Sequence, residues 1–295
     1  MFPCAPGKSL PRSRPDCCAF HARRFLRMRG VSVVSGGTGT SPIGRWLVPL
    51  ASRPSARVRA YLFPPPGMGA SFYVPMAEEL PDFVEPVALQ APGREERRVE
   101  PRVHVFSKLV EAALRAIRTA GGLKPSVFLG YSASGIWAFE TARALSARGL
   151  EGPLMLGVCA SPSPGEAAGH ARAIARPDRA VRAVLQEHAL TPDLRELAAQ
   201  AILRDITPVL SYRYRPGIKV ACPLSLFAGA EDAVIPRDLM RRWGEYTASH
   251  VIGDRTYPGG HMFLRGHWKT VAQDFASDVE AVLPHPSGEP LAPTP

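Results

Sequence analysis

The sequence predicts an α/β protein built on a mostly parallel sheet with helices on both faces. Three observations predict it. Short apolar runs alternate with stretches of helical periodicity from about residue 56 onward. The run 153–160 (PLMLGVCA) is continuously apolar, as a strand covered on both faces must be. The alternation breaks once, at about 165–210, where Arg- and Ala-rich helical segments read as an inserted helical cap. The 295 residues, 45% hydrophobic, are enough for a sizeable core and exclude a disordered chain or a disulfide scaffold.

In order, residues 56–63 alternate and then turn apolar, which suits a strand, and the Pro64-Pro65-Pro66-Gly67 run stops it. Residues 71–80 can form a short helix. A second strand follows at 83–90, where Pro86, unable to donate to a ladder, argues for an edge or a bulge. Phe106, Val110, Ala113 and Ile117 recur at helical spacing up to the Gly121-Gly122 pair. Residues 126–130 make a short buried strand, 136–150 a helix and 153–160 the next strand. Beyond the cap, strands are expected at 222–229 and 250–257 and helices at 239–246 and 268–282.

The formal charge of +10 does not mark a nucleic-acid binder. Residues 1–30 hold Lys8, Arg12, Arg14, Arg23, Arg24, Arg27 and Arg29 against Asp16, a net +6 that leaves +4 for the rest. Residues 1–40 lack periodicity and read as a disordered leader or as upstream sequence from a mis-chosen start. Residues 285–295 read as a disordered Pro-rich tail, so the domain is 41–284 with its cap at about 165–210. Arg23-Arg24 is not followed by an apolar segment long enough for export, and no run approaches the ~20 residues of a membrane helix. Cys159 and Cys222 lie in apolar runs, as core residues of a reducing cytoplasm would. No metal-ligand spacing is present, and neither metal nor cofactor is expected.

The chemistry gathers at Gly130-Tyr131-Ser132-Ala133-Ser134-Gly135, between a short strand and a helix, as a nucleophile elbow requires. Alone, Ser132 in such a turn could be a helix cap. The chain order adds to it, because a serine needs a base and the base needs an acid. Asp232 follows the 222–229 strand, and His261 sits in a Gly-rich turn after the 250–257 strand; both are strand ends where open α/β sheets place their sites. Glu231 competes with Asp232 as the acid, whereas His250 and His267 are weaker bases because neither lies in such a turn. An oxyanion needs backbone N–H donors. Ala133 should supply one. The first loop should supply another, and since Pro64, Pro65 and Pro66 have no N–H, Gly67 and Met68 are preferred over Gly69.

These stretches together resemble the type II thioesterases of polyketide and non-ribosomal peptide biosynthesis, from about Trp46 to Val282. Phe63-Pro64, Gly67 and Ala70-Ser71-Phe72-Tyr73 look like that family's first loop, Phe-Pro-His-Ala-Gly-Gly before Ser-Phe-Tyr. Ala91-Pro92-Gly93-Arg94-Glu95-Glu96-Arg97 resembles its Leu-Pro-Gly-Arg-Glu-Asp-Arg segment, the most specific signal. Tyr212-Arg213-Tyr214 and the turn at His261 match two more segments. The sequence departs at Pro65-Pro66, Met68, Tyr131 and Ser134, all near the catalytic centre.

The resemblance implies an α/β-hydrolase fold with a helical cap. It also implies hydrolysis of acyl or aminoacyl thioesters from the phosphopantetheine arm of carrier proteins, through a Ser-His-Asp triad and an acyl-enzyme, by a cytoplasmic monomer that clears stalled or misprimed synthases. Its partner is the acyl or peptidyl carrier protein, not nucleic acid or membrane. The alternatives are a general serine carboxylesterase or acyltransferase using the same triad, and a weakly active relative that binds carrier protein.

Overall fold

The computed structural model describes residues 44–120, 124–175, 185 and 191–284. The expected leader and tail lie outside the described residues, as do the Gly121-Gly122 helix stop and the middle of the expected cap. Seven strands, β1 (Leu47–Pro49), β2 (Val58–Phe63), β3 (Val84–Leu89), β4 (Ser126–Tyr131), β5 (Leu156–Cys159), β6 (Leu224–Gly229) and β7 (Val251–Tyr257), form one sheet in the order β1-β3-β2-β4-β5-β6-β7. All neighbours are parallel except β1 and β3.

The helices are α1 (Val74–Glu79), α2 (Phe106–Thr119), α3 (Ser134–Ser146), α4 (Ala167–Ala175), α5 (Pro192–Leu210), α6 (Arg237–Arg241) and α7 (Trp268–Val282). They sit on both faces, which is why the central strands are apolar on both sides. In β2, Tyr61 and Phe63 join one core with α2 and α3, while Val58, Ala60 and Leu62 join the other with α1 and α7. β4 divides likewise, Phe128 to the first core and Val127, Leu129 and Tyr131 to the second. α4 and α5 occupy the stretch where the α/β rhythm breaks.

Two expectations need correction. β3 is not an edge strand, because β1, which is three residues long and carries no strand signal, covers it through Leu47↔Leu89, Val48↔Ala88 and Pro49↔Val87. Pro86 lies just beyond the last of these pairs. There its missing N–H interrupts no ladder, and its carbonyl accepts the Leu50 N–H at 3.0 Å. The helix expected at 239–246 is instead one turn of α-helix, α6, followed by a 3-10 segment over Arg242–Tyr246 that buries Trp243 completely.

Candidate active site

The tight turn between β4 and α3 holds Ser132 at φ +56°, a left-handed conformation that a side chain adopts only under constraint. The Ser132 N–H donates to the Cys159 carbonyl at 2.8 Å, and the Ser132 carbonyl accepts from Gly135 N–H at 2.9 Å. A Cβ at Gly130 would lie 2.6 Å from the Gly135 Cα, and one at Gly135 would lie 2.4 Å from the Ser161 Oγ. The close approaches therefore fall at 130 and 135. Position 134 tolerates a serine, whose buried hydroxyl donates to the Pro64 carbonyl at 2.7 Å and so ties the elbow to the first loop.

His261 reaches this serine from the end of β7. Its Nε2 lies 3.0 Å from Ser132 Oγ, and its Nδ1 lies 2.9 Å from Asp232 Oδ2. The other Asp232 oxygen accepts the N–H groups of Val234 (2.8 Å) and Ile235 (2.9 Å), which fixes the carboxylate. The Asp232 and His261 side chains are 1% and 5% exposed, so their interaction is little screened by water. Glu231 points elsewhere: its carboxylate accepts the Gly259 N–H, and its own N–H donates to the Gly259 carbonyl at 3.0 Å. It clamps the histidine loop and leaves Asp232 against the ring. His250 bonds Ser249 and His267 bonds the Pro258 carbonyl.

The expected oxyanion donors fare differently. Ala133 N–H donates to nothing among the described residues. The Gly67 N–H is taken by Asp205 Oδ2 at 2.5 Å and the Met68 N–H by the Pro65 carbonyl at 3.1 Å, so neither loop amide is free in this arrangement. Gly67 has φ +83° and follows Pro66, the two central residues of a type II turn from Pro65 to Met68; in such a turn the Gly67 N–H points outward and needs an external acceptor.

Three further features have little or no local sequence signature. Tyr131, fully buried, donates its hydroxyl to the His261 carbonyl at 2.5 Å and stacks on Phe263 at 5.8 Å, so the residue before the serine also fixes the histidine loop. Asp205 of α5, 3% exposed, is held by Arg102 at 2.5 Å and by Arg94. Burial pushes its carboxyl pKa up against the opposing pull of those two cations. His170 on α4 has a buried Nε2 with no partner among the described residues; burial first, then the neighbouring His261, push its pKa down to about 4. A small cavity of about 40 Å³ adjoins the elbow, walled by Pro66 and Met68 of the loop, Ala133 and Trp137 of the elbow side, Phe106 of α2, and Asp205 of α5. Among the described residues no cluster of His, Cys, Asp and Glu is arranged to hold a metal ion, and no helix is long and apolar enough to cross a membrane.

The family model for the thioesterase domain matches residues 59–280, which include all of these groups. The chain belongs to the thioesterase family. Its relatives include Thioesterase PikA5 of Streptomyces venezuelae, 29% identical over 249 residues that make up 79% of this chain and 85% of that protein. The gramicidin S biosynthesis protein GrsT of Aneurinibacillus migulanus is 26% identical over 234 residues, 77% of this chain and 91% of its own. Among solved structures, the type II thioesterase BorB from the borrelidin biosynthetic cluster superposes with a TM-score of 0.66 at 26% identity, covering 79% of this thioesterase and 97% of BorB. The architecture is thus that of the type II thioesterases, and the chemistry of this thioesterase is hydrolysis of thioester bonds.

Proposed function

We propose that this thioesterase releases acyl or aminoacyl groups from the phosphopantetheine arm of carrier proteins in polyketide or non-ribosomal peptide assembly, acting as a cytoplasmic monomer with Ser132 as nucleophile, His261 as base and Asp232 as the acid that orients it. The observation that carries this reading is the unbroken relay from Ser132 Oγ through the His261 ring to Asp232, 3.0 and 2.9 Å long, at the elbow of a thioesterase domain. Asp232 holds the Nδ1–H tautomer, which leaves Nε2 free to take the serine proton. The alkoxide adds to the thioester carbonyl carbon, and the carbonyl oxygen becomes an oxyanion facing the Ala133 N–H. Collapse breaks the C–S bond, and His261 returns the proton to the pantetheine sulfur. Water, deprotonated by His261, then attacks acyl-Ser132 and frees the carboxylic acid and the serine.

The Gly67 and Met68 amides are both taken in the arrangement described, so we infer that Ala133 carries most of the oxyanion stabilisation. The relatives support the carrier-bound substrate over a simple ester, since GrsT is named for gramicidin S biosynthesis and BorB for the borrelidin cluster. The test compares kcat/KM for acetyl and longer acyl groups loaded on a phosphopantetheinylated carrier with kcat/KM for p-nitrophenyl esters of the same acids. The expected result is a preference for the carrier-bound thioester. Faster turnover of the free ester would make the protein a carboxylesterase instead.

A further inference from the structure

The mechanism uses none of the segment 91–97, although that segment carries the most distinctive part of the sequence. What it does, together with the flanking Gln90 and Arg102, is brace the loop between β2 and α1 at both ends. At the far end, Gln90 Oε1 accepts the Ala70 N–H at 2.7 Å, and Glu95 Oε1 accepts the Ser71 N–H at 3.2 Å and its hydroxyl at 2.5 Å. At the near end the brace runs through helix α5, because Arg94 and Arg102 hold Asp205 and Asp205 accepts the Gly67 N–H. A carboxylate this buried is tolerated only with such compensation. The helix also comes so close that a Cβ on Gly67 would lie 2.9 Å from Ile202 Cγ1. The loop so held is the one whose Pro64 carbonyl is tied to Ser134 and whose Pro66 and Met68 wall the cavity beside the elbow.

We propose that Asp205 is a positioning residue for thioester hydrolysis: by accepting the Gly67 N–H it sets the first loop against the nucleophile elbow, so that the cavity beside the elbow is complete only when helix α5 is seated. The inference rests on Ser132 being the nucleophile. Asp205 touches no reacting atom; it acts through the loop.

The test exploits a difference between two substitutions. Asp205→Ala and Asp205→Asn both abolish the ion pairs with Arg94 and Arg102 and both lower Tm, but only asparagine keeps an oxygen that can accept the Gly67 N–H. With a small acyl-N-acetylcysteamine thioester as substrate, Asp205→Ala is expected to lower kcat by ~10- to 100-fold with KM within about threefold of wild type, while Asp205→Asn keeps kcat within roughly threefold. If the alanine protein does not fold, Asp205→Leu, which fills the volume without an acceptor, replaces it. Equal losses of kcat in the asparagine protein and the acceptor-free protein would overturn the proposal, since the ion pairs and not the Gly67 bond would then matter. So would an unchanged or raised kcat without the acceptor, or an effect confined to KM. Wild-type protein that releases no thiol at all, with Ser132→Ala as control, would sink the function itself and this inference with it.

Discussion

Two adjacent acids, Asp232 and its competitor Glu231, stand side by side in the sequence, and geometry divides their work. Asp232 meets the imidazole and Glu231 clamps the loop that carries it. Asp232→Asn is therefore expected to lower kcat by ~10³- to 10⁴-fold through loss of the correct tautomer, and Glu231→Gln, whose amide oxygen can still accept the Gly259 N–H, by no more than about tenfold. Thiol-release kinetics on both proteins check the order; the reverse order would reassign the acid. His170 makes a prediction about pH. Its pKa in the folded protein is about 4, below the ordinary 6.5, so the unfolded chain takes up the proton first as pH falls. The contribution is harmless above pH 6.5 and costs stability progressively between 6.5 and 4. Urea midpoints of wild type should therefore fall more steeply across that window than those of His170→Gln; parallel curves would contradict the assignment.

At the scale of elements, the legible parts were those whose physics is local. Ser132 and its small neighbours show in sequence because the strand-to-helix turn leaves no room for larger ones. Gly135 shows why a serine at 134 does no harm, since the close contact with Ser161 falls one residue later. α5 starts on equally local chemistry, with Thr191 as cap, its hydroxyl accepting the Leu194 N–H, and Pro192 in the first turn. β1 was not legible, because three residues cannot carry a period, and with β1 unseen Pro86 misleads about the edge. Asp205 was not legible either: its partners Arg102 and Gly67 are 103 and 138 residues away in the chain.

The same non-local logic fixes α7 to the sheet. Asp278 on α7, 4% exposed, accepts from Ser225 of β6 at 2.6 Å and from both terminal nitrogens of Arg255 of β7 at 2.5 and 2.7 Å. Asp278→Ala leaves the buried Ser225 hydroxyl without its acceptor and Arg255 with only Asp274 as a counter-charge, and is expected to lower unfolding free energy by about 3 kcal/mol while sparing kcat per folded molecule. Denaturant titration and active-site titration together check both halves.

For the whole molecule, the parallel sheet explains why the elbow motif and the chain order together pointed to one candidate site. Strands that all run one way bring their following loops to one edge, so residues 132, 232 and 261 meet there although they are far apart in sequence. What the chain order could not supply was the state of the first loop, whose Gly67 and Met68 amides are committed to Asp205 and Pro65. A groove of about 860 Å³ is lined by Arg143 and Arg148, which pair with Glu140 and Glu111 in its wall, and by Arg213 and Arg215, with Ile218 55% exposed at its rim, and Phe106 is common to this groove and the small cavity. If an acidic carrier docks on these arginines, raising ionic strength from roughly 50 to roughly 500 mM should raise KM for the carrier-bound thioester several-fold and leave KM for the small thioester unchanged. Equal salt effects on the two would place docking elsewhere.

The central claim is that Ser132 of this thioesterase takes an acyl group from a carrier's pantetheine sulfur. It is tested most directly by following free-thiol release from an acyl-loaded, phosphopantetheinylated carrier protein with wild type and Ser132→Ala side by side. Release by wild type and none by Ser132→Ala, with both proteins folded, is the expected result. Release by neither, or equal release by both, would contradict it.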